Sequence, residues 1–290
     1  MELYSYGPLP AQARADAIPR GVAGLSVLTT WGVLQPSVTR PVDWTLIDKA
    51  VGVARNAGLK LYLRVQAGEG CPSDLPGQVT VPGSCFGHGP KTPKSVTMPL
   101  PNDATFLRAW TGFITAFGVQ YHAEAVIDRV AMCGGSRQGE MILPTCSQWN
   151  VLAARHGLTA ATLLGSWQTI IEAWRSAFPE KTTTLGIENP MGILATLLDW
   201  IQTRYGANDG IDIQQNGLCA DTDPKQNLLT APHQMGFTTG WQTWGDVAQG
   251  TGPLAKTLAV AAQSGASYVE LYAQDVMDTK NDPLFLTYGS

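Results

Sequence analysis

Charge is scarce in this chain. Asp, Glu, Lys and Arg make up 14% of 290 residues and leave a formal net charge of −4. There is no basic stripe to neutralise phosphates, so nucleic acid is not an expected partner. Histidine is scarcer still: His88, His122, His156 and His233 are scattered, with no HxH or HExxH pair. The five cysteines (71, 85, 133, 146 and 219) have no metal-ligand spacing. No metal and no cofactor are therefore expected. Cys71 and Cys85 flank a Gly/Pro-rich loop and are in reach of a bridge, and Cys133 and Cys146 bracket another loop. The odd count and the lack of a CxxC pair favour reduced thiols over a disulfide framework. No run of about 18 apolar residues occurs, so no membrane span is expected. The first residues, MELYSYGPLPAQARADAIPR, lack a basic-then-apolar leader pattern. A removed leader, export by lysis or assembly (an extracellular or virion-associated place), and retention in the cell all fit that absence.

What the chain does have is alternation. Apolar runs of strand length fall near 2–6, 24–30, 60–66, 126–132, 182–187, 210–215, 234–239 and 266–272. Segments of helical period lie between them at 44–57, 103–121, 158–178, 191–205 and 253–264. Asn102-Asp103 and Thr159 supply helix starts, and Phe178-Pro179 a stop. No long helix is evident between the sixth and seventh strands. The pattern predicts one α/β domain over 1–290, a (β/α)8 TIM barrel. A doubly wound sheet competes, but the nearest phosphate-turn candidate, Gly134-Gly135-Ser136, lacks the spacing and the following helix. Two long connections, 67–102 and 133–157, leave the C-terminal ends of strands, where a barrel places its chemistry.

Several segments occur in an order that carries a resemblance: WGVLQP, VDWTLIDKAVGVARNAGLKLYLRVQAG, PLPNDATFLRAWTGFITAFGVQY, SRQGEM, WRSAFPEKTTTL, QQNGL and GASYVELYAQD. Over most of 24–275 the chain resembles glycoside-hydrolase-like (β/α)8 barrels, in particular an uncharacterised bacterial and phage group. The resemblance implies a barrel with a carbohydrate substrate or ligand at the mouth. In the large clan of retaining barrel hydrolases the general acid follows the fourth strand, and Glu140 stands there, in a GxxxGE turn. The Asn-Glu pair of that clan is absent, since Gly139 precedes the glutamate. In that clan the seventh strand ends in the nucleophilic glutamate. Here MGFTTGWQTWGD offers Gln242 and no carboxylate before Asp246.

Glycoside hydrolysis needs two carboxyl groups, one protonated and one ionised. Glu140 is the first candidate; a loop glutamate that merely caps a helix is its plain alternative. Glu270 alternates with Val269 and Leu271 and points into the barrel, either as the catalytic partner or as the ion-pair partner of Arg64. Glu188, ending strand five in LGIENP, is the third candidate. Asp275 reads as a cap of the final turn. Glu124, Glu172 and Glu180 read as solvated surface. Trp31, Trp241 and Trp244 fall at strand ends and suit either sugar stacking or the core, with Arg64, Asn216 and Gln242 available for hydroxyl groups. Two functions stay open. One is a glycosidase of a polysaccharide or cell-envelope glycan, using Glu140 with Glu270 or Glu188. The other is a non-catalytic carbohydrate-binding barrel, such as a phage tail recognition module.

Overall fold

Eight parallel strands close into a barrel in the computed structural model, which describes residues 1–8, 18–86, 93–137, 139–207 and 209–289. The strands are β1 (Glu2–Gly7), β2 (Gly24–Thr30), β3 (Lys60–Gln66), β4 (Ile127–Ala131), β5 (Thr182–Gly186), β6 (Ile211–Leu218), β7 (Thr239–Thr243) and β8 (Tyr268–Tyr272). Each pairs with its sequence neighbour, and β1 closes on β8 with Tyr4 opposite Glu270. Long helices at Thr45–Ala57, Ala104–Tyr121, Ala160–Ala177, Leu194–Tyr205 and Leu254–Gln263 cover the outside. Their starts follow local chemistry. The Asp103 carboxylate accepts the Phe106 amide at 2.8 Å, and Thr159 and Thr162 form a reciprocal capping box. Only a five-residue helix, Thr230–Gln234, lies between β6 and β7, and no helix among the described residues is long and apolar enough to cross a membrane.

Two expectations are corrected here. The seventh strand is Thr239–Thr243, not 234–239: Gly236, at φ 89°, turns the chain after the short helix, and the strand begins only beyond it. The connections 67–102 and 133–157 are also not without structure. The first carries an antiparallel hairpin, Gln78–Pro82 with Ser95–Pro99, and the second a helix, Ser147–Arg155. His88 lies outside the described residues.

The barrel interior is polar at both ends and aromatic between. Tyr4, Tyr62 and Tyr268 meet edge to face, with ring centroids 6.0 to 6.4 Å apart. Below them Arg129 lies 4.2 Å from the Tyr268 ring centroid and pairs with Asp212 at 2.6 Å. Above them sits Arg64. The Tyr268 ring fits only because its neighbour is Gly240, where an added Cβ would come within 2.1 Å of it. Burial of three tyrosine rings, at about 2 kcal/mol each, offsets part of the cost of enclosing two guanidinium groups.

Candidate active site

Arg64 organises the mouth of the barrel. Its Nη2 donates to Glu270 Oε2 at 2.8 Å and its Nη1 to Glu140 Oε1 at 3.1 Å, so one guanidinium spans both carboxylates. The two glutamates differ in what is left over. Glu270 has both oxygens occupied: Ser26 Oγ donates to Oε1, and Gln214 Nε2 donates to Oε2 at 2.7 Å alongside Arg64. Gln214 is fixed in turn, its Oε1 accepting the Tyr62 and Tyr268 hydroxyls at 3.2 and 3.1 Å. Glu270 is 0% exposed and sealed on every side. Its oxygens are committed to Ser26, Gln214 and Arg64, an arrangement that suits an anchor for the guanidinium. It is the ion-pair partner of Arg64.

Glu140 is held by one oxygen only. Oε1 accepts from Arg64 and from Asn216 Nδ2, whereas Oε2 accepts from no described residue, and the side chain reaches the surface at 6% exposure. Gly139 aims it. At φ 74° this residue turns the chain back so that its carbonyl accepts the Gly134 amide at 2.7 Å, and a Cβ there would strike Cys133 at 2.7 Å. Position 139 is thus one that only glycine fits. Burial pushes the Glu140 carboxyl up to about 7, against the opposing pull of Arg64 and Asn216, with smaller upward contributions from Glu270 and Glu188.

Glu188 follows β5 and is half-buried; burial raises its carboxyl above the ordinary range. It lines a cleft of about 770 Å³ between the connections that follow β4, β5 and β6. Met141, next to Glu140 in the chain, lines the same cleft, and the Glu188 charge is close enough to add to the upward shift of Glu140.

The remaining candidates separate. Arg64 is enclosed and committed to carboxylates, which corrects its assignment to substrate hydroxyls. Asn216 is half-exposed and positions Glu140, its Oδ1 accepting from Gln214 Nε2 at 3.0 Å. Gln242, one residue before the end of β7, bonds the Tyr6 hydroxyl. Trp31 and Trp241 are fully buried and cannot stack on a sugar. The helical turn Trp31–Leu34 swings the Trp31 ring inward to 5.1 Å from Trp110, and Trp241 Nε1 donates to Ser264 at 2.9 Å. Trp244 alone of the three stands free, 68% exposed. Asp275 accepts the Val247 amide and links two connections; it does not cap the last turn.

The thiol expectation is also overturned. Cys85 and Cys146 form a disulfide that joins the hairpin after β3 to the helix after β4, and Cys71, Cys133 and Cys219 are free. No group of three or more His, Cys, Asp or Glu capable of holding a metal ion occurs among the described residues. Sequence reasoning missed Ser26 and Gln214. The signal was present in IDIQQN, where Asp212, Gln214 and Asn216 alternate: a buried strand polar at every second position faces a polar interior.

No protein-family model matches the chain, and no curated protein matches it in sequence. Solved structures do match it in shape. The catalytic domain of a beta-amylase from Paenibacillus polymyxa is 10% identical, with a TM-score of 0.64 over 99% of this chain and 97% of that one. A GH10 endoxylanase from a sugarcane soil metagenome is 11% identical, with a TM-score of 0.55 over 94% and 84%. The Pseudomonas stutzeri endoglucanase Cel5A is 11% identical, with a TM-score of 0.51 over 97% and 84%. At these identities the likeness is one of architecture: like those structures, the chain is a (β/α)8 barrel.

Proposed function

We propose that the chain hydrolyses glycosidic bonds of a polysaccharide or cell-envelope glycan, with Glu140 as proton donor and Glu188 as the second carboxylate. The free Oε2 of Glu140 carries this reading. A carboxyl tethered through one oxygen presents the other in a fixed direction, and its position near neutrality keeps a proton available. The Oε2 proton passes to the glycosidic oxygen as the bond from that oxygen to the sugar carbon breaks, and the electron pair stays on the leaving oxygen. Glu188, ionised, removes a proton from the water that adds to the same carbon. Inversion fits this arrangement, because an amide at Gln242 cannot form a glycosyl-enzyme intermediate. Trp244, at the mouth beside Gly217, offers a flat face to a sugar ring.

The test is a panel of polysaccharides and envelope glycans with product detection, run on the wild type and on Glu140→Gln. The variant should bind and fail to turn over, and turnover that survives the substitution removes Glu140 from the reaction. A second reading is favoured by Gln242: a binding barrel without catalysis, such as a phage tail recognition module. Glycan binding by the wild type with no product on any substrate would establish it.

A further inference from the structure

The cleft that Glu188 lines is unlike a row of sugar subsites. Its walls are aliphatic and thioether surfaces from Met141, Leu143, Met191 and Leu228, closed at the back by Trp149. A sugar bound there would lose water from each hydroxyl and find few replacements, at a cost of roughly 1–3 kcal/mol for each unpaired group. One of the few polar groups in the wall, Asn189 Oδ1, is already taken by the Leu194 amide at 3.1 Å.

Met191 adds a second observation. It sits at φ 55°, the one non-glycine among the described residues with positive φ, and it is 50% exposed. Left-handed backbone costs a non-glycine residue on the order of 1 kcal/mol or more. An exposed thioether gains nothing from water, so the fold alone gives no return on that strain. What the conformation does is place Met191 on the cleft wall. Methionine adapts its shape to what it meets, and a wall of two methionines and three leucines matches a flexible aliphatic guest better than a flat aromatic one.

We infer that this cleft binds an alkyl or acyl chain carried by the ligand. That the ligand is a glycoside rests on the reading of Glu140 and Glu188 as the reacting pair; the chemistry of the occupant rests on the cleft itself. A volume of about 770 Å³ holds a chain of eight or more carbons with room to spare.

The experiment compares methyl and octyl glycosides of the same sugar, below the micelle threshold, by equilibrium binding to the full chain. Each buried methylene should tighten binding by about fourfold, so octyl should exceed methyl by at least ~30-fold if only part of the chain is enclosed. Met191→Gln and Leu228→Asn should each remove ~10-fold or more of the octyl affinity and leave the methyl affinity unchanged, and Met191→Gln, at an exposed position, should also leave the melting temperature unchanged. Equal binding of the two glycosides overturns the inference. So does an octyl preference that neither substitution touches, because the chain would then lie elsewhere. An octyl preference abolished by these substitutions, with no product from any glycan of the panel, keeps the apolar occupant and removes the hydrolytic reading instead.

Discussion

Replacing Glu140 with glutamine should make the protein more stable at alkaline pH and inactive at every pH. The folded carboxyl binds its proton with an affinity near 7, against an ordinary 4.5 in the unfolded chain. The folded state therefore keeps a proton that the unfolded state has lost. Its contribution to stability is fully present below about 4.5 and disappears as pH rises through about 7. At about 1.4 kcal/mol for each tenfold in proton affinity, the loss amounts to ~3 kcal/mol by pH 8. Glutamine has no proton to give up. Its Oε1 can still accept from Arg64 and Asn216, so its own effect is a pH-independent offset. The assay is urea unfolding of both proteins from pH 4 to pH 8. The stability of Glu140→Gln minus that of wild type should rise by ~3 kcal/mol across this range, and the titrations of carboxyls not coupled to Glu140 cancel in the difference. A flat difference, or one that falls with pH, would show that Arg64 holds Glu140 ionised. The proton-donor assignment would then fail whatever the activity data say.

Other substitutions test separate parts of the site. Glu188→Gln should lower turnover by at least ~100-fold with binding retained, the size expected for a general base; unchanged turnover places the second carboxylate elsewhere. Glu270→Gln should cost about 3–5 kcal/mol in urea unfolding, because it leaves the buried Arg64 guanidinium short of its anion; a neutral effect would show that the pair is not an anchor. Trp244→Ala should weaken glycan binding by about 1 kcal/mol with no change in melting temperature, whereas Trp31→Ala should destabilise by about 3–5 kcal/mol, and calorimetry with binding titrations separates the two. Joint replacement of Cys85 and Cys146 by serine opens a loop of 61 residues and should cost about 4 kcal/mol, read from denaturant midpoints with and without reductant.

The barrel was legible because buried parallel strands are written as short apolar runs between helical periods. GLSVLTT and KLYLRVQ coincide with β2 and β3 residue for residue. The seventh strand was not, because TGWQT is a weak run and the apolar Met235 and Phe237 just before it belong to a turn. The inward direction of Glu270 and its partner Arg64 followed from alternation alone. The commitment of its oxygens did not, since that depended on Ser26 and Gln214 arriving from two other strands. Trp31 shows the same limit. A tryptophan at a strand end faces the mouth or the core according to the next dihedrals, and one helical turn sent it to the core. Cys85 and Cys146 are 61 positions apart, and their pairing exists only because β3 and β4 are neighbours around the barrel.

That bridge has a consequence for how the protein can change. The hairpin after β3 and the helix after β4 come from different βα units, yet the Thr145 amide and the Cys85 carbonyl meet at 2.8 Å beside the disulfide. Thr145, Trp149 and Asn150 on one side of that junction line the cleft. The two connections therefore form a single mechanical part. A graft that transplants one of them into another barrel leaves an unpaired thiol and a wall without its brace, so any exchange of ligand preference has to move both together.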